Sequence, residues 1–165
     1  MSDPKVFKVL FLSNCNSANS IFAEFMMKKL SMGRFESESA GITPAAEIHP
    51  LTVKILDSFY GIPIAGVKPK SVDDLRGRSF DFVITVNDRP LENIPVFAGD
   101  PVRAQWGSPD PAAFQGGDEE KLKIFRQVAV EIHRRLELFT SLPLERFDHA
   151  SLKKMIEVIG ESRSR

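Results

Sequence analysis

Residues 9–20 read Val9-Leu10-Phe11-Leu12-Ser13-Asn14-Cys15-Asn16-Ser17-Ala18-Asn19-Ser20. The first four are large and apolar, which is typical of a strand covered on both faces of a parallel sheet. Small and polar residues follow, and helical spacing of apolar residues begins near Ser20 and Ile21. A strand, a short loop and a helix N-terminus in this order form a backbone cradle for an anion, because the first N–H groups of a helix have no intrahelical partner. The stretch therefore predicts an anion-binding loop.

The rest of the chain alternates between strand and helix patterns. We expect strands at 6–12, 35–41, 80–86 and 102–106, where apolar residues run together or alternate. Helical spacing predicts helices from Ser20 to Leu30, from His49 to Gly61, at 72–75, at 119–138 and in the tail around 152–159. Such alternation implies right-handed crossovers and a parallel sheet.

These elements predict an α/β fold: one domain over residues 1–165, with three layers and a four-stranded parallel sheet covered by helices on both faces. Ligands bind such sheets at the carboxyl ends of the strands. The expected ends are Ser13, Gly41, Asn87 and Gly107.

Charge and cysteine content narrow the possible functions. Lys plus Arg and Asp plus Glu both number 22, so the net charge is zero, which argues against nucleic acid or membrane as a partner. Cys15 is the one cysteine, which excludes an internal disulfide and favours a reducing, cytoplasmic compartment. The three histidines and Cys15 lack metal-ligand spacing, so no metal site is expected. Lys68 and Lys70 are expected in a solvated loop, and His49 at a helix entry.

Several motifs together resemble one family. The stretch Val9 to Glu24 resembles the phosphate loop of the low-molecular-weight protein tyrosine phosphatases and of the arsenate reductases that share their fold. The order and spacing of further segments agree, and the last two are most similar to the arsenate-reductase branch. These segments are Ser39-Ala40-Gly41, His49-Pro50, 82–86, Trp106-Gly107-Ser108-Pro109-Asp110-Pro111-Ala112-Ala113 and Leu142-Pro143-Leu144.

The resemblance assigns roles to positions of this chain. The family loop is Cys-x5-Arg-Ser, in which a thiolate attacks phosphorus or arsenic and the arginine clamps two oxygens. Ser13 stands at the nucleophile position, Asn19 at the arginine position and Asp110 at the general-acid position. Cys15 replaces a frequent glycine, and Asn87 stands where arsenate reductases often have a redox cysteine.

The same resemblance implies which residues surround an oxyanion. They are Asn14, Cys15, Asn16, Ser17, Ala18, Asn19 and Ser20. An alcohol with no neighbouring histidine is a poor nucleophile, and loss of one oxyanion donor commonly costs about 3 kcal/mol in the transition state. Arg89 and Arg103 are the arginines that could reach the pocket rim from the strand-end side, but the sequence favours neither as a replacement for the missing charge.

Three functional hypotheses remain open from sequence. The first is an arsenate-reductase-like protein that keeps a pocket for phosphate, arsenate, sulfate or a phosphorylated partner, has lost thiolate catalysis and needs no cofactor. The second is an active enzyme that uses Cys15 with an external thiol such as glutathione, mycothiol or a thioredoxin-type protein. The third is a non-catalytic interaction module. A monomer or weak dimer is expected, and the loop changes fit natural divergence better than engineering.

Overall fold

The computed structural model describes residues 5–161 and contains one parallel sheet. Its strands are β1 (Phe7–Ser13), β2 (Phe35–Gly41), β3 (Phe82–Thr85) and β4 (Val102–Gln105), in the spatial order β2-β1-β3-β4. All three neighbouring pairs are parallel. The predicted four-stranded parallel sheet is confirmed.

Four α-helices and three short 3₁₀ helices complete the described chain. The α-helices are α1 (Asn19–Leu30), α2 (Pro50–Tyr60), α3 (Asp118–Thr140) and α4 (His149–Glu161). The 3₁₀ helices are Val72–Leu75, Pro111–Ala113 and Leu144–Arg146. Each predicted helix is present, with ends that differ by a few residues. The Pro111–Ala113 turn was not predicted, because its two flanking prolines indicate only a rigid loop.

The central strand β1 divides its side chains between two apolar clusters. Val9 and Phe11 belong to a large cluster with residues from all four α-helices. Leu10 and Leu12 belong to a smaller cluster with Val72 and other residues of the 3₁₀ helix and loops. This alternation follows from the two-residue repeat of a strand. Helical segments therefore lie on both faces of the sheet. The α-helices contribute to the large cluster, and a short 3₁₀ helix contributes to the small cluster.

The C-terminal helix packs closely on β4 and the residue that follows it. The Trp106 indole is fully buried, and its Nε1 donates to the Ile156 carbonyl of α4 at 2.9 Å. A Cβ placed on Gly160 would lie 2.7 Å from the Gln105 carbonyl oxygen and 2.7 Å from Trp106 Cδ1. The glycine therefore permits the close approach of α4 to β4. Among residues 5–161, no helix has both the length and the apolar character needed to cross a membrane.

We expect Gly160→Ala to destabilise the protein by about 1–3 kcal/mol, the usual cost of overpacking. At an exposed position inside a helix, Gly→Ala would stabilise the protein by about 1 kcal/mol. A loss of stability in Gly160→Ala would therefore indicate the close contact. Urea unfolding would measure it. Gly117→Ala is the comparison, because a Cβ on Gly117 meets nothing within 4 Å and the change costs only the capping preference of glycine over alanine at the start of α3. An unchanged or raised stability of Gly160→Ala would contradict the close approach.

Candidate oxyanion-binding site

A small polar cleft lies where the carboxyl ends of the strands meet the N-terminus of α1. It is lined by Ser13, Asn14, Cys15, Ser17, Ala18, Asn19, Asn87 and Asp110 and has a volume of about 20 Å³. The family resemblance also assigns Asn16 and Ser20 to the surroundings of the oxyanion. Both residues are fully buried and do not line the cleft. Pockets for drug-sized ligands measure about 300–1,000 Å³, so this cleft suits only a small group.

The first N–H groups of α1 lie next to the cleft and have no intrahelical acceptor. Ala18 precedes α1 and makes no side-chain cap, and the first helical hydrogen bond runs from the Phe22 N–H to the Ala18 carbonyl at 2.9 Å. The N–H groups of Asn19, Ser20 and Ile21 therefore come before the helical ladder begins. Together with the helix dipole they favour negative charge near Ala18.

The fold of the loop depends on the left-handed backbone of Asn16, whose φ is 50°. Asparagine tolerates this conformation better than most residues. The loop also packs directly on the end of β2, where a Cβ on Gly41 would lie 2.8 Å from the Asn14 carbonyl oxygen. Only glycine fits at this point, which gives a physical reason for the Ser39-Ala40-Gly41 motif.

A buried polar network behind the loop centres on the Asn16 side chain. Its Nδ2 donates to Ser20 Oγ at 2.8 Å and to Ser39 Oγ at 2.9 Å, and its Oδ1 accepts from the Lys70 N–H at 2.9 Å. Ser39 Oγ in turn donates to Glu24 Oε1. This network joins α1, β2 and the 70–71 segment to the loop.

Glu24 is a buried carboxylate at the far end of the network. Only 5% of the residue is exposed, and its oxygens lie 3.8 Å from Lys70 Nζ and 3.6 Å from Lys28 Nζ. The sequence predicts a solvated position for Lys70. In the structure, Lys70 is instead paired with a buried charge. Lys68 is exposed and lies 4.0 Å from Glu47, as a solvated loop residue would.

The Ser13 hydroxyl has two hydrogen-bond partners. The Asn16 N–H donates to Ser13 Oγ at 3.0 Å, and Ser20 Oγ lies 2.7 Å away. Either hydroxyl can be the donor of the hydrogen bond between Ser13 and Ser20. Ser20 is fully buried and also accepts from Asn16 Nδ2. Ser13 is thus held by the loop backbone and by α1, and neither of these partners is a base.

Asn19 directs its amide donors at backbone carbonyls. Nδ2 donates to the Val86 carbonyl at 3.2 Å and to the Pro109 carbonyl at 3.0 Å, which links α1 to the residue after β3 and to the loop before Asp110. The Oδ1 atom is buried and has no hydrogen-bond partner among residues 5–161. Asn19 thus ties two segments together, whereas an arginine at this position would present its guanidinium donors to an anion.

Asp110 lies at the rim of the cleft and caps the Pro111–Ala113 turn. Its Oδ1 accepts from the Ala112 N–H at 3.0 Å, and the residue is exposed. The preceding loop is fixed by Arg135 of α3, which is fully buried, donates to the Gly107 carbonyl at 3.0 Å and lies 2.6 Å from Glu131. The position of Asp110 therefore depends on a buried ion pair in another layer.

Within the described range 5–161, no cationic side chain lines the cleft. Arg103 lies on β4 and lines a separate groove with Val83 and Lys153, and Arg89 is exposed and does not line the cleft. Neither arginine therefore supplies a charge to the cleft, in agreement with the disfavoured status of this alternative in the sequence. Asn87, at the redox-cysteine position of the family, does line the cleft.

His49 sits near the rim as the N-cap of α2. Its Nδ1 accepts from the Leu51 N–H at 3.1 Å, and its ring packs on Phe125 with centroids 4.5 Å apart. Burial and, less strongly, the Lys121 charge lower the pKa of His49 below its ordinary value, while Asp110 opposes them. The helix-entry role predicted for His49 matches this geometry. Within residues 5–161, no cluster of three or more His, Cys, Asp or Glu could hold a metal ion.

Sequence reasoning missed the residues that support the site from behind. Glu24 follows Ser20 by four residues on one face of α1, and Ser39 and Ser37 are polar at alternating buried positions of β2. Polar residues on otherwise buried faces are an available signal for such a network. Arg135 gave no such signal, because one arginine in a charged helix resembles a solvated residue.

Comparison with known proteins places the chain in a family. The sequence profile of the low molecular weight phosphotyrosine protein phosphatases matches residues 8–156. An arsenate reductase of Halalkalibacterium halodurans is 33% identical over 131 residues, which are 79% of this chain and 93% of that protein. The chain belongs to the low molecular weight phosphotyrosine protein phosphatase family, which includes relatives named arsenate reductase.

Solved structures agree with this assignment. An arsenate reductase from Archaeoglobus fulgidus superposes with a TM-score of 0.65 at 26% identity, covering 81% of this chain and 99% of that one. A thioredoxin-dependent arsenate reductase from Corynebacterium glutamicum gives a TM-score of 0.63 at 28% identity, covering 87% of this chain and 65% of that one. The recognised resemblance and the fold are both confirmed.

We expect Asn16→Ala to destabilise the protein by about 3 kcal/mol, because it removes three buried hydrogen bonds and places alanine in a left-handed conformation. Asn93→Ala is a matched control. Asn93 has a φ of 63° but is exposed, so its replacement loses about 1 kcal/mol at most for the backbone. Urea unfolding of both variants isolates the network. Equal losses would show that the hydrogen bonds of Asn16 contribute nothing.

His49 predicts an acid-sensitive step in stability. Since its native pKa is below the unfolded value of 6.5, the unfolded state binds more protons between these two values. Stability is therefore full above pH 6.5 and falls as pH drops towards the native pKa.

The variant His49→Asn keeps an N-cap acceptor but does not titrate. Its free energy of unfolding, measured by urea titration from pH 7.5 downwards, should lack this step. If His49→Asn shows the same dependence of unfolding free energy on pH as the parent protein, the step belongs to other groups.

Proposed function

We propose that this chain binds a small tetrahedral oxyanion, phosphate or arsenate, in the cleft at Ser13 and Asn19, and does not perform thiolate chemistry there. The observation that carries the proposal is the setting of Ser13, whose hydroxyl accepts from the Asn16 N–H at 3.0 Å and has the Ser20 hydroxyl, 2.7 Å away, as its other partner. A serine nucleophile needs a neighbouring base to take its proton. Within residues 5–161, neither a histidine nor a carboxylate hydrogen-bonds to Ser13.

Two features support anion binding at the same place. The N-terminus of α1 lacks a side-chain cap, and the cleft beside it is lined by the polar residues Ser13, Asn14 and Ser17. The loop is also rigidly supported, since Asn16, Ser20, Ser39 and Glu24 form a continuous buried network. Preorganised donors of this kind bind an oxyanion without reorganisation.

The loss of catalysis follows from both substitutions acting on one step. Ser13 provides no thiolate, and the donors of Asn19 are used by the Val86 and Pro109 carbonyls. Removal of one oxyanion donor typically lowers kcat by about 10²–10³. Asp110 keeps a rim position from which it can exchange a proton with a bound group. A cytoplasmic location fits a chain whose one cysteine would stay reduced.

Cys15 supports a second candidate, an arsenate reductase with a displaced thiol. Cys15 is half-buried, lines the same cleft and accepts from Asn14 Nδ2 at 3.7 Å. The relative from Corynebacterium glutamicum is described as thioredoxin-dependent. A reductase built on Cys15 would likewise need an external thiol, because the chain holds no second cysteine.

Calorimetry and thermal unfolding with phosphate and arsenate test the proposal. Binding of either anion at a hundred times its Kd adds about 2.7 kcal/mol to stability, while turnover of p-nitrophenyl phosphate and of arsenate with dithiothreitol or thioredoxin stays at background. The double variant Ser13→Cys with Asn19→Arg should exceed Ser13→Cys alone in turnover by about 10²–10³.

Each contrary result identifies a different function. Turnover in the unmodified chain that Cys15→Ser abolishes would establish the displaced-thiol reductase. Absence of any bound oxyanion at millimolar concentration would overturn the proposal and leave the interaction module. Cys15→Ser is also the control for binding, since serine preserves the size of the side chain at the loop.

A further inference from the structure

A second cavity lies among the C-terminal ends of α1 and α2 and the middle of α3. Its volume is about 320 Å³. A cavity of about 150 Å³ is enough to hold benzene, and ligand pockets begin at about 300 Å³. This cavity therefore has room for a molecule of one or two rings. Its lining includes Met26 and Lys29 of α1, Phe59 and Tyr60 of α2, Ile62, and His133 of α3.

The cavity is separate from the oxyanion cleft. Asn19, at the start of α1, lines the cleft, and Leu30, at the end of α1, lines the cavity. A helix rises about 1.5 Å per residue, so these two ends of α1 are about 16 Å apart. No residue lines both places. A small ligand in the cavity therefore occupies a site of its own.

The aromatic walls of the cavity are held by contacts within the protein. The Tyr60 ring packs on the His133 ring with centroids 5.3 Å apart, and His133 Nδ1 lies 3.0 Å from Glu137 Oε1. On the other side, the Arg126 guanidinium lies 4.0 Å from the centroid of the Phe59 ring. Rings that are fixed in advance lose little freedom when a ligand enters, which lowers the cost of binding.

The Lys29 ammonium lies at the edge of the cavity and carries an unbalanced charge. Its Nζ donates to the carbonyl of Tyr60, the last residue of α2, and a Cβ on Gly61 would lie 3.7 Å from it. An ammonium has three protons, and this one uses a single proton there. Between residues 5 and 161, Lys29 forms no ion pair, whereas the neighbouring Lys28 pairs with Glu24.

We propose that this cavity binds an aromatic carboxylate of one or two rings, with its carboxylate accepting from Lys29 Nζ. Ligand pockets typically combine apolar and aromatic walls with a few polar groups that orient the ligand. A neutral ligand leaves the ammonium without a partner, and a cationic ligand is repelled by Lys29 and by the nearby Arg126. One ammonium balances one negative charge, which favours a carboxylate over a phosphate monoester with nearly two charges.

Calorimetry near neutral pH with three probes of similar shape tests the ligand class. Naphthoate should bind with a Kd of about 1 mM or below, as expected for a ligand of its size. Naphthamide has the same rings without the charge and should bind about fivefold more weakly, the effect of one exposed ion pair. Decahydronaphthoate keeps the charge but has no aromatic ring, so its affinity should fall by about twofold to tenfold.

Two variants test whether Lys29 provides the charge. Lys29→Met keeps an unbranched apolar side chain but removes the ammonium, so naphthoate and naphthamide should bind it equally. Lys54→Met is the matched control, because Lys54 is an exposed lysine of α2 that does not line the cavity. It removes the same formal charge and should leave the fivefold difference in place.

Tyr60 locates the bound ligand because it is the one tyrosine of the chain. Protein labelled with fluorotyrosine therefore gives a single fluorine NMR signal, at the wall of the cavity. We expect naphthoate to shift this signal with the same Kd that calorimetry measures. Phosphate titration tests the oxyanion cleft separately.

The contrary outcomes are distinct. Equal affinity for naphthoate and naphthamide, or a difference that survives in Lys29→Met, overturns the role of the ammonium. Equal affinity for naphthoate and decahydronaphthoate overturns the preference for aromatic ligands. A fluorotyrosine signal that does not move at saturating naphthoate overturns the location, and absence of naphthoate binding at several millimolar overturns the site. None of these results bears on the oxyanion cleft, since the two sites share no lining residue.

Discussion

The Asn16 side chain holds the loop between β1 and α1 in the shape on which the site depends. Its amide makes three buried hydrogen bonds, to Ser20, Ser39 and the Lys70 N–H, while its backbone takes a left-handed conformation. Each bond links the loop to a different element. Without this amide, the Asn16 N–H and the Ser20 hydroxyl, which are the two hydrogen-bond partners of Ser13, would lose their support.

Serine and asparagine stand in the loop where the family motif has cysteine and arginine. In a family loop with cysteine and arginine, a thiolate would receive hydrogen bonds that stabilise its charge, and a guanidinium would offer only donors to the substrate. With serine, the same partners, the Asn16 N–H and Ser20, surround a hydroxyl that has no neighbouring base. With asparagine, the donors point at the Val86 and Pro109 carbonyls and an acceptor remains unpaired. The frame, including buried Glu24 and Arg135, still fixes where each group lies.

Much of the fold and of the loop was predictable because the signals are local. The apolar run at 9–12, the helical spacing after Ser20 and the alternation of elements predict a parallel sheet with a site at its strand ends, and the sheet order confirms the topology. The difference between the two faces of the sheet, one packed by α-helices and the other by a 3₁₀ helix and loops, was not predictable. Whether an α-helix or a 3₁₀ helix such as Val72–Leu75 covers a face depends on which apolar side chains meet across the chain.

The sequence by itself predicted a strand, a loop and a helix at residues 9–30 that resemble the phosphate loop of the family, with serine at 13 and asparagine at 19 where the family motif has cysteine and arginine. Only the tertiary structure decided what these side chains do, because hydrogen-bond direction depends on partners distant in sequence. Asn19 is 67 residues from Val86 and 90 from Pro109, and Asn16 is 54 from Lys70. Such partners follow from the packing of the sheet, and no local pattern encodes them.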